Sequence, residues 1–187
     1  VHGDGQHILE ASQPVTPALA ARLRQQARRL GLSPAALFHA AWALVVGRTS
    51  GRDRVVFGSV LSGRLQGTAG ADRALGMFIN TLPLRFDLAQ GNARTLVDQA
   101  HHELVELLRH EQAPLTLAQR TSPIPAGRPL FTAVLNYRHS SPTPPAEVPG
   151  IAVLASQERT NYPFVLSVDD LGDAYTLTAL CKLRVPP

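Results

Sequence analysis

The adjacent histidines His101 and His102 are the residues of this 187-residue chain best suited by type to proton transfer, because an imidazole titrates near neutral pH and a neighbour can orient it. Helical spacing separates them. His101 shares a stripe with Val97, Leu104 and Leu108, whereas His102 falls with Asp98 and Glu106 on the polar face. The pair reads as one histidine at the edge of a core and one in solvent beside a carboxylate. His110 and Glu111 are adjacent rather than three or four apart, and Cys181 has no ligand-spaced partner, so no metal site is expected. Gly58-Ser-Val-Leu-Ser-Gly63 lacks the spacing of a nucleophile elbow. The glycines of Gly63-Arg-Leu-Gln-Gly-Thr-Ala-Gly-Ala71 neither run into Gly-Lys-Ser/Thr nor open a helix, so they cradle no phosphate. What remains is polar residues set inside apolar strands. Asn80 and Thr81 lie within Leu75-Gly-Met-Phe-Ile-Asn-Thr-Leu-Pro-Leu-Arg85, and Asn136 lies near the end of Leu130-Phe-Thr-Ala-Val-Leu-Asn-Tyr137. A buried carboxamide left unpaired costs roughly 1 to 3 kcal/mol, so each is either a structural clamp or part of a site.

The elements that must position these residues follow from the punctuation of the chain. Thr16-Pro17 and Ser33-Pro34 are helix starts, with a capping side chain and a proline that loses no hydrogen bond at the first helical position. Leu19, Leu23, Ala27 and Leu30 stripe the first helix, which Gly31 closes. The second helix, through Leu37, Phe38, Ala41, Trp42, Leu44 and Val45, is apolar on nearly every face and is expected to be buried on most sides, with His39 a packed or hydrogen-bonded core histidine. Val55-Val-Phe-Gly-Ser-Val-Leu61 is apolar without alternation and predicts a central strand covered on both faces. Pro83 places the strand around Asn80 at an edge or against a loop. A helix over about 95–111 stops before Pro114, and a short helical turn is expected at 115–119. Further strands are expected at 130–137, 151–156, 164–168 and 175–183, with a proline-rich loop at 140–149 and a tight turn at 169–173.

Composition fits one compact domain: 44% hydrophobic content is ordinary for a globular chain, and with only 5% aromatic residues the core must be built mostly from Leu, Val and Ala. Residues 1–15 read as a linker and lead-in, and residues 16–187 as the domain. A net charge of +4 favours no nucleic acid here, because the arginines are scattered and not interleaved with aromatics. A single cysteine forbids an internal disulfide. No apolar run approaches the roughly 18 residues of a membrane span, and nothing resembles a signal peptide, so the expected location is cytoplasmic, with no membrane partner. The chain starts at Val1 and reads as a piece of something longer.

Three motifs in order and spacing then resemble the condensation domains of nonribosomal peptide synthetases: Leu75 to Arg85, His110-Glu-Gln-Ala-Pro-Leu115, and Arg120 through Pro129-Leu-Phe131. Phe57-Gly-Ser-Val-Leu-Ser-Gly-Arg64, Leu135-Asn-Tyr-Arg138 and Asn161-Tyr-Pro-Phe-Val-Leu-Ser-Val168 are also similar to that family. The resemblance implies an α/β fold, a two-layer sandwich forming one lobe of the chloramphenicol-acetyltransferase-like (CoA-dependent acyltransferase) type. It implies the C-terminal lobe, because the family's His-His-x-x-x-Asp-Gly lies upstream of these motifs. His101-His102 is not that motif, since Glu106 and Leu107 stand where Asp and Gly are required and the pair follows the Asn80 motif. No catalytic residue is therefore expected in this chain. The implied structural positions are Gly63, Arg64, Gly76, Phe78, Asn80, Thr81 and Arg85 around a tunnel floor, with His110, Pro114, Arg120, Asn136 and Arg138 as further motif positions. The floor loop would be 63–74, and 140–149 or the hairpin at Gly172 would reach across as a latch. Implied partners are the N-terminal lobe, peptidyl carrier domains with their phosphopantetheine arms, and an adjacent adenylation domain, with no cofactor bound directly. The family's His-Gln-Asp-x-Pro-Phe-Glu is His110-Glu-Gln-Ala-Pro-Leu-Thr116 here, replacing the aspartate, the phenylalanine and the last glutamate. A non-catalytic carrier-docking module, or a lobe of an epimerisation or ester-forming relative, is the alternative.

Overall fold

The computed structural model describes residues 8–64, 75–89, 91–125, 127–139 and 158–182. In chain order they form β1 (Ile8–Pro14), α1 (Pro17–Leu30), α2 (Pro34–Ser50), β2 (Arg54–Leu61), β3 (Asn80–Asp87), α3 (Ala93–Arg109), α4 (Leu115–Thr121), β4 (Ala133–His139), β5 (Phe164–Asp170) and β6 (Tyr175–Lys182). The six strands make one mixed sheet in the order β1-β6-β5-β4-β2-β3. The β2–β4 and β4–β5 pairs are parallel and the others antiparallel.

Both helix starts lie where the prolines put them, but Thr16 and Ser33 make no side-chain cap bond. The C-termini behave as expected: Gly31 adopts φ 67°, its N–H bonds Arg28 O at 3.1 Å, and Leu32 N–H bonds Ala27 O at 2.9 Å. That is a Schellman closure, which a side chain at Gly31 would strain. α3 carries a full capping box, in which Asn92 accepts from Arg94 and Thr95 N–H while Thr95 Oγ1 accepts from Asn92 N–H.

α1, α2 and α3 cover one face of the sheet. Their cluster joins Trp42, Phe57, Leu84, Phe86, Leu135, Val168 and Tyr175, with Phe57 stacked on Phe86 at 5.3 Å. Burying such a ring contributes roughly 1.5 to 3 kcal/mol. A smaller cluster of Phe131, Val134, Val165 and Leu180 lies on the other face. α2 is less enclosed than its composition predicts, because Leu44 and Val45 are each 42% exposed on one flank. β2 sits one place in from the edge. Its helix-side residues Val55, Phe57 and Ser59 are buried, whereas Val56 on the opposite face is exposed, so it is covered fully on one face only.

Two further expectations change. Residues 8–14, read as lead-in, are a strand paired with β6 from Ile8↔Lys182 to Pro14↔Thr176. Its side chains are almost all exposed, so an outer edge strand needs no apolar alternation to be held by its ladder. The turn expected at 169–173 is shorter, since Asp169 and Asp170 complete β5 and Leu171 N–H bonds Ala174 O at 3.0 Å. The strand expected at 151–156 and the loop at 140–149 lie outside the described residues. Among the described residues no single helix is long and apolar enough to cross a membrane.

Candidate tunnel wall

Pro83 sits on β3 at the edge of the sheet, opposite Gly58, where its missing N–H costs no ladder bond to a further strand. Asn80 opens that strand, and its carboxamide is fully engaged. Nδ2 donates to the carbonyls of Glu111 at 2.9 Å and Ala113 at 2.7 Å, and Oδ1 accepts from Thr81 N–H at 2.9 Å. The two carbonyls belong to the turn between α3 and α4, so the side chain ties the edge strand to that turn. The same turn reaches the end of β2, where Gln112 Nε2 donates to Gly63 O. Gly63 has φ 68° and a Cβ there would overlap the Phe78 carbonyl oxygen, so backbone meets backbone at that point. The Arg64 guanidinium lies 4.8 Å over the Phe78 ring and donates to Gly76 O at 3.3 Å.

Residues far apart in sequence are thus one knot: Gly63, Arg64, Gly76, Phe78, Asn80 and Thr81, with the turn of His110 and Pro114. Other motif positions stand outside it. His110 and Pro114 present exposed side chains, Arg120 is exposed on α4, and Arg85 is exposed with no ion pair among the described residues. Alternation turns Leu75, Met77 and Ile79 outward, where they are 100%, 91% and 66% exposed, while Phe78 packs inward. Residues 65–74 of the expected floor loop lie outside the described residues.

The face of the sheet away from α1, α2 and α3 carries the remaining motif residues. Register aligns an apolar row, Gly58, Val134, Val165 and Leu180, and beside it a polar row, Asn136, Ser167, Thr178 and Ser12. Only Gly fits at position 58, because a Cβ would collide with the Phe131 ring. Thr178 and Ser12 share a hydrogen bond of 3.0 Å. Past the polar row Arg138 binds Asp169 through two nitrogens at 2.7 and 3.0 Å and Glu158 at 2.6 Å. A cavity of about 360 Å³ opens over these rows. Ser167 and Asp169 were not singled out from sequence, although a serine within Phe164-Val-Leu-Ser-Val168 is the same signal that marked Asn80.

Under the helices His39 and Asp170 have their partners within the chain, whereas Arg24 Nε, Trp42 Nε1 and the Tyr175 hydroxyl are buried without a hydrogen-bond partner among the described residues. His39 is 2% exposed, its Nδ1–H donates to Ala35 O at 2.7 Å, and Nε2 accepts from Ser59 Oγ at 2.9 Å. Burial lowers its pKa to about 4 against the opposing Ala35 bond, so the ring is neutral and sealed from solvent. Arg24 of α1 reaches Asp170 of β5 at 2.6 Å and lies 4.2 Å over the Tyr175 ring, and Tyr137 donates to the same carboxylate at 2.5 Å. Burial pushes the Asp170 carboxyl up, but bonds from Arg24, then Tyr137 and Gly172 N–H, outweigh it and hold it at about 2. On α3, His101 is half-buried and His102 exposed, as their stripes predict. Among the described residues no group of three or more His, Cys, Asp or Glu could hold a metal ion.

The family model of the condensation domain matches residues 9–179. The chain belongs to the condensation-domain family. It is 52% identical over 180 residues to malpibaldin synthetase of Mortierella alpina, and 31% identical over 153 residues to vanchrobactin synthetase VabF of Vibrio anguillarum. Those alignments take in 95% and 79% of this chain but 3% and 5% of the two relatives, so the chain spans a small part of the curated proteins it matches. Among solved structures, the condensation domain of the monacolin K polyketide synthase MokA is similar with a TM-score of 0.78 at 25% identity, covering 98% of this chain and 44% of that one. The first condensation domain of the calcium-dependent antibiotic synthetase gives 0.73 at 19% identity, covering 97% and 40%. The α/β, acyltransferase-like fold expected from the motifs is the fold found.

Proposed function

We propose that this chain is the C-terminal lobe of a peptide-synthetase condensation domain and forms one wall of the tunnel in which two carrier-bound thioesters are joined. In that reaction the amine of an aminoacyl thioester attacks the carbonyl of an acyl or peptidyl thioester, the amide bond forms, and the upstream carrier's thiol leaves. The carriers present both groups on phosphopantetheine arms, and an adenylation domain adjoins. The observation that carries the reading is the knot at Asn80. It ties the edge strand to the turn after α3, and the segment leading into that strand carries outward side chains, Leu75, Met77 and Ile79, that are apolar and bare. A strip of that kind suits contact with a companion lobe. The coverage of 40–44% of two solved condensation-domain chains agrees with one lobe of two. The proton-handling His-His-x-x-x-Asp-Gly belongs to the companion lobe, so this chain is not competent alone.

The test is a peptide-bond assay with two loaded carrier proteins. The chain alone is expected to give no product. Joined to the roughly 200 residues of a companion lobe, it is expected to form the amide, and replacing Met77 and Ile79 together by Ser should lower that rate at least tenfold while leaving the chain's own unfolding unchanged. Turnover by the isolated chain, or an unaffected rate in the double variant, sinks the reading.

A further inference from the structure

The outward face of α2 is apolar and bare. Leu37, Ala41, Leu44, Val45 and Arg48 fall at helical spacing on one stripe, opposite the stripe that buries His39, Trp42 and Ala43. Leu44 and Val45 are each 42% exposed and Ala41 is exposed as well, although a helix this apolar is ordinarily enclosed on all sides. From Leu37 to Arg48 the stripe runs about 16 Å, the length of about three helical turns. It is too long for one small molecule and matches a second helix laid along the first.

The stripe ends in a small cavity whose charge decides the chemistry of that helix. About 240 Å³ lies among Leu44, Arg48, Leu88 and the turn of Gly51, Arg52 and Asp53. Gly47 lets Leu88 pack against α2 at this point, since a Cβ there would collide with Leu88 Cδ1. Arg48 and Arg52 are exposed, and neither guanidinium has a hydrogen bond or ion pair with a described residue. Asp53 is the one carboxylate among the described lining residues, so the lining carries two positive charges against one negative. The adjoining Arg54 is paired with Asp87 at 3.8 Å and adds little to the balance. A bare apolar stripe with free guanidinium groups at one end only is complementary to an amphipathic segment with carboxylates at one end only.

We propose that the outward face of α2 docks an amphipathic helix of a different polypeptide, with apolar side chains along Leu37 to Val45 and carboxylates in its first turn against Arg48 and Arg52. The direction of that helix follows from charge. Carboxylates are most favourable at a helix N-terminus, so the partner helix begins beside the C-terminal end of α2 and runs antiparallel to it, which also sets the two helix dipoles in opposition. An unpaired N–H of the same first turn faces Asp53. A second copy of this chain does not supply such a helix, because none of the four described helices has an acidic residue in its first turn. The surface lies on the helix layer, away from the sheet face that the tunnel-wall reading gives to a companion lobe, and it does not depend on that reading.

The chain is isotopically labelled and titrated, with heteronuclear NMR as readout, against synthetic helical peptides that share one leucine-rich face and differ in charge. The first carries Glu throughout its first turn, the second has Lys at those positions, and the third has the Glu residues moved to its last turn. Saturable shifts confined to residues 37–53 and their packed neighbours are expected with the first, weakening as salt rises, and the other two should bind at least tenfold more weakly. Arg48→Glu and Arg52→Glu should each weaken the first peptide at least fivefold and strengthen the Lys peptide, an exchange that a general loss of structure does not produce. Leu44→Ser should weaken all three, with the rest of the spectrum unchanged. Absence of saturable shifts on α2, equal affinity for the first peptide and either of the others, or lost affinity in the arginine variants without a gain for the Lys peptide overturns the proposal. Shifts on α2 that grow with the concentration of the peptide-free chain also overturn it, because the occupant is then a second copy.

Discussion

Single side chains in this protein divide into those that finish their hydrogen bonds internally and those that do not, and stability should track the first group. Asn80 donates twice to the turn after α3. Asn80→Ala leaves two carbonyls unpaired and is expected to lower unfolding free energy by about 2 to 3 kcal/mol, read as a shifted denaturant midpoint at unchanged slope. Asn80→Asp should do no better, because a carboxylate cannot donate to those carbonyls. Two other residues set the acid response. His39 has a folded pKa of about 4, below its ordinary 6.5. The unfolded state therefore binds the proton first, and stability present at neutral pH is lost as pH falls from 6.5 through 4. Asp170, held at about 2 against 3.8, contributes stability that is present above 3.8 and lost as pH falls toward 2. Urea midpoints measured across pH should show both windows. His39→Gln should flatten the upper one and Asp170→Asn the lower, the latter costing about 3 kcal/mol at neutral pH by leaving Arg24 without its carboxylate.

At the scale of elements, the closest backbone approach joins the end of β2 to the segment leading into β3. Gly63 combines a positive φ with a contact that leaves no room for Cβ against the Phe78 carbonyl. Gly63→Ala is expected to cost about 2 to 3 kcal/mol from the left-handed backbone and the collision together, with loss of the Arg64–Phe78 contact. A fluorescence or calorimetric melt checks the first effect, and proteolysis near residue 78 the second. Gly31, also at positive φ, has nothing within 4 Å of a built Cβ. Gly31→Ala should therefore cost less, about 1 kcal/mol, which separates strain from collision. Helix termini were legible from Pro and Gly, because those residues act through their own backbone geometry. β1 was not, because an exposed edge strand is held by the β6 ladder and its side chains carry no core pattern.

For the molecule as a whole, one face of the sheet is finished and the other is not. The helices seal the first with aromatic packing and the Arg24–Asp170–Tyr137 cluster. The second keeps an open cavity and a polar row, and a bare apolar strip at residues 75–79 leads into the edge strand. The proposed C-terminal-lobe reading expects that asymmetry, with a companion lobe against the open side, and the carrier assay with the Met77 and Ile79 double variant tests it at this scale.

The amino-acid order by itself determined most element boundaries, the place of His39 in a core, the divergence of His101 from His102, and the family, since each depends on local spacing or on motifs in sequence. It marked Asn80 and Asn136 alike, as polar residues in apolar strands. Only the tertiary structure told them apart: the turn after α3 comes within hydrogen-bond distance of Asn80, while Asn136 and Ser167 face a cavity that no described side chain fills. Partners brought together across 31 and 33 positions of chain leave no periodicity to read. Whether a buried polar group is clamp or site depends on what stands opposite it, and that is set by the packing of the sheet.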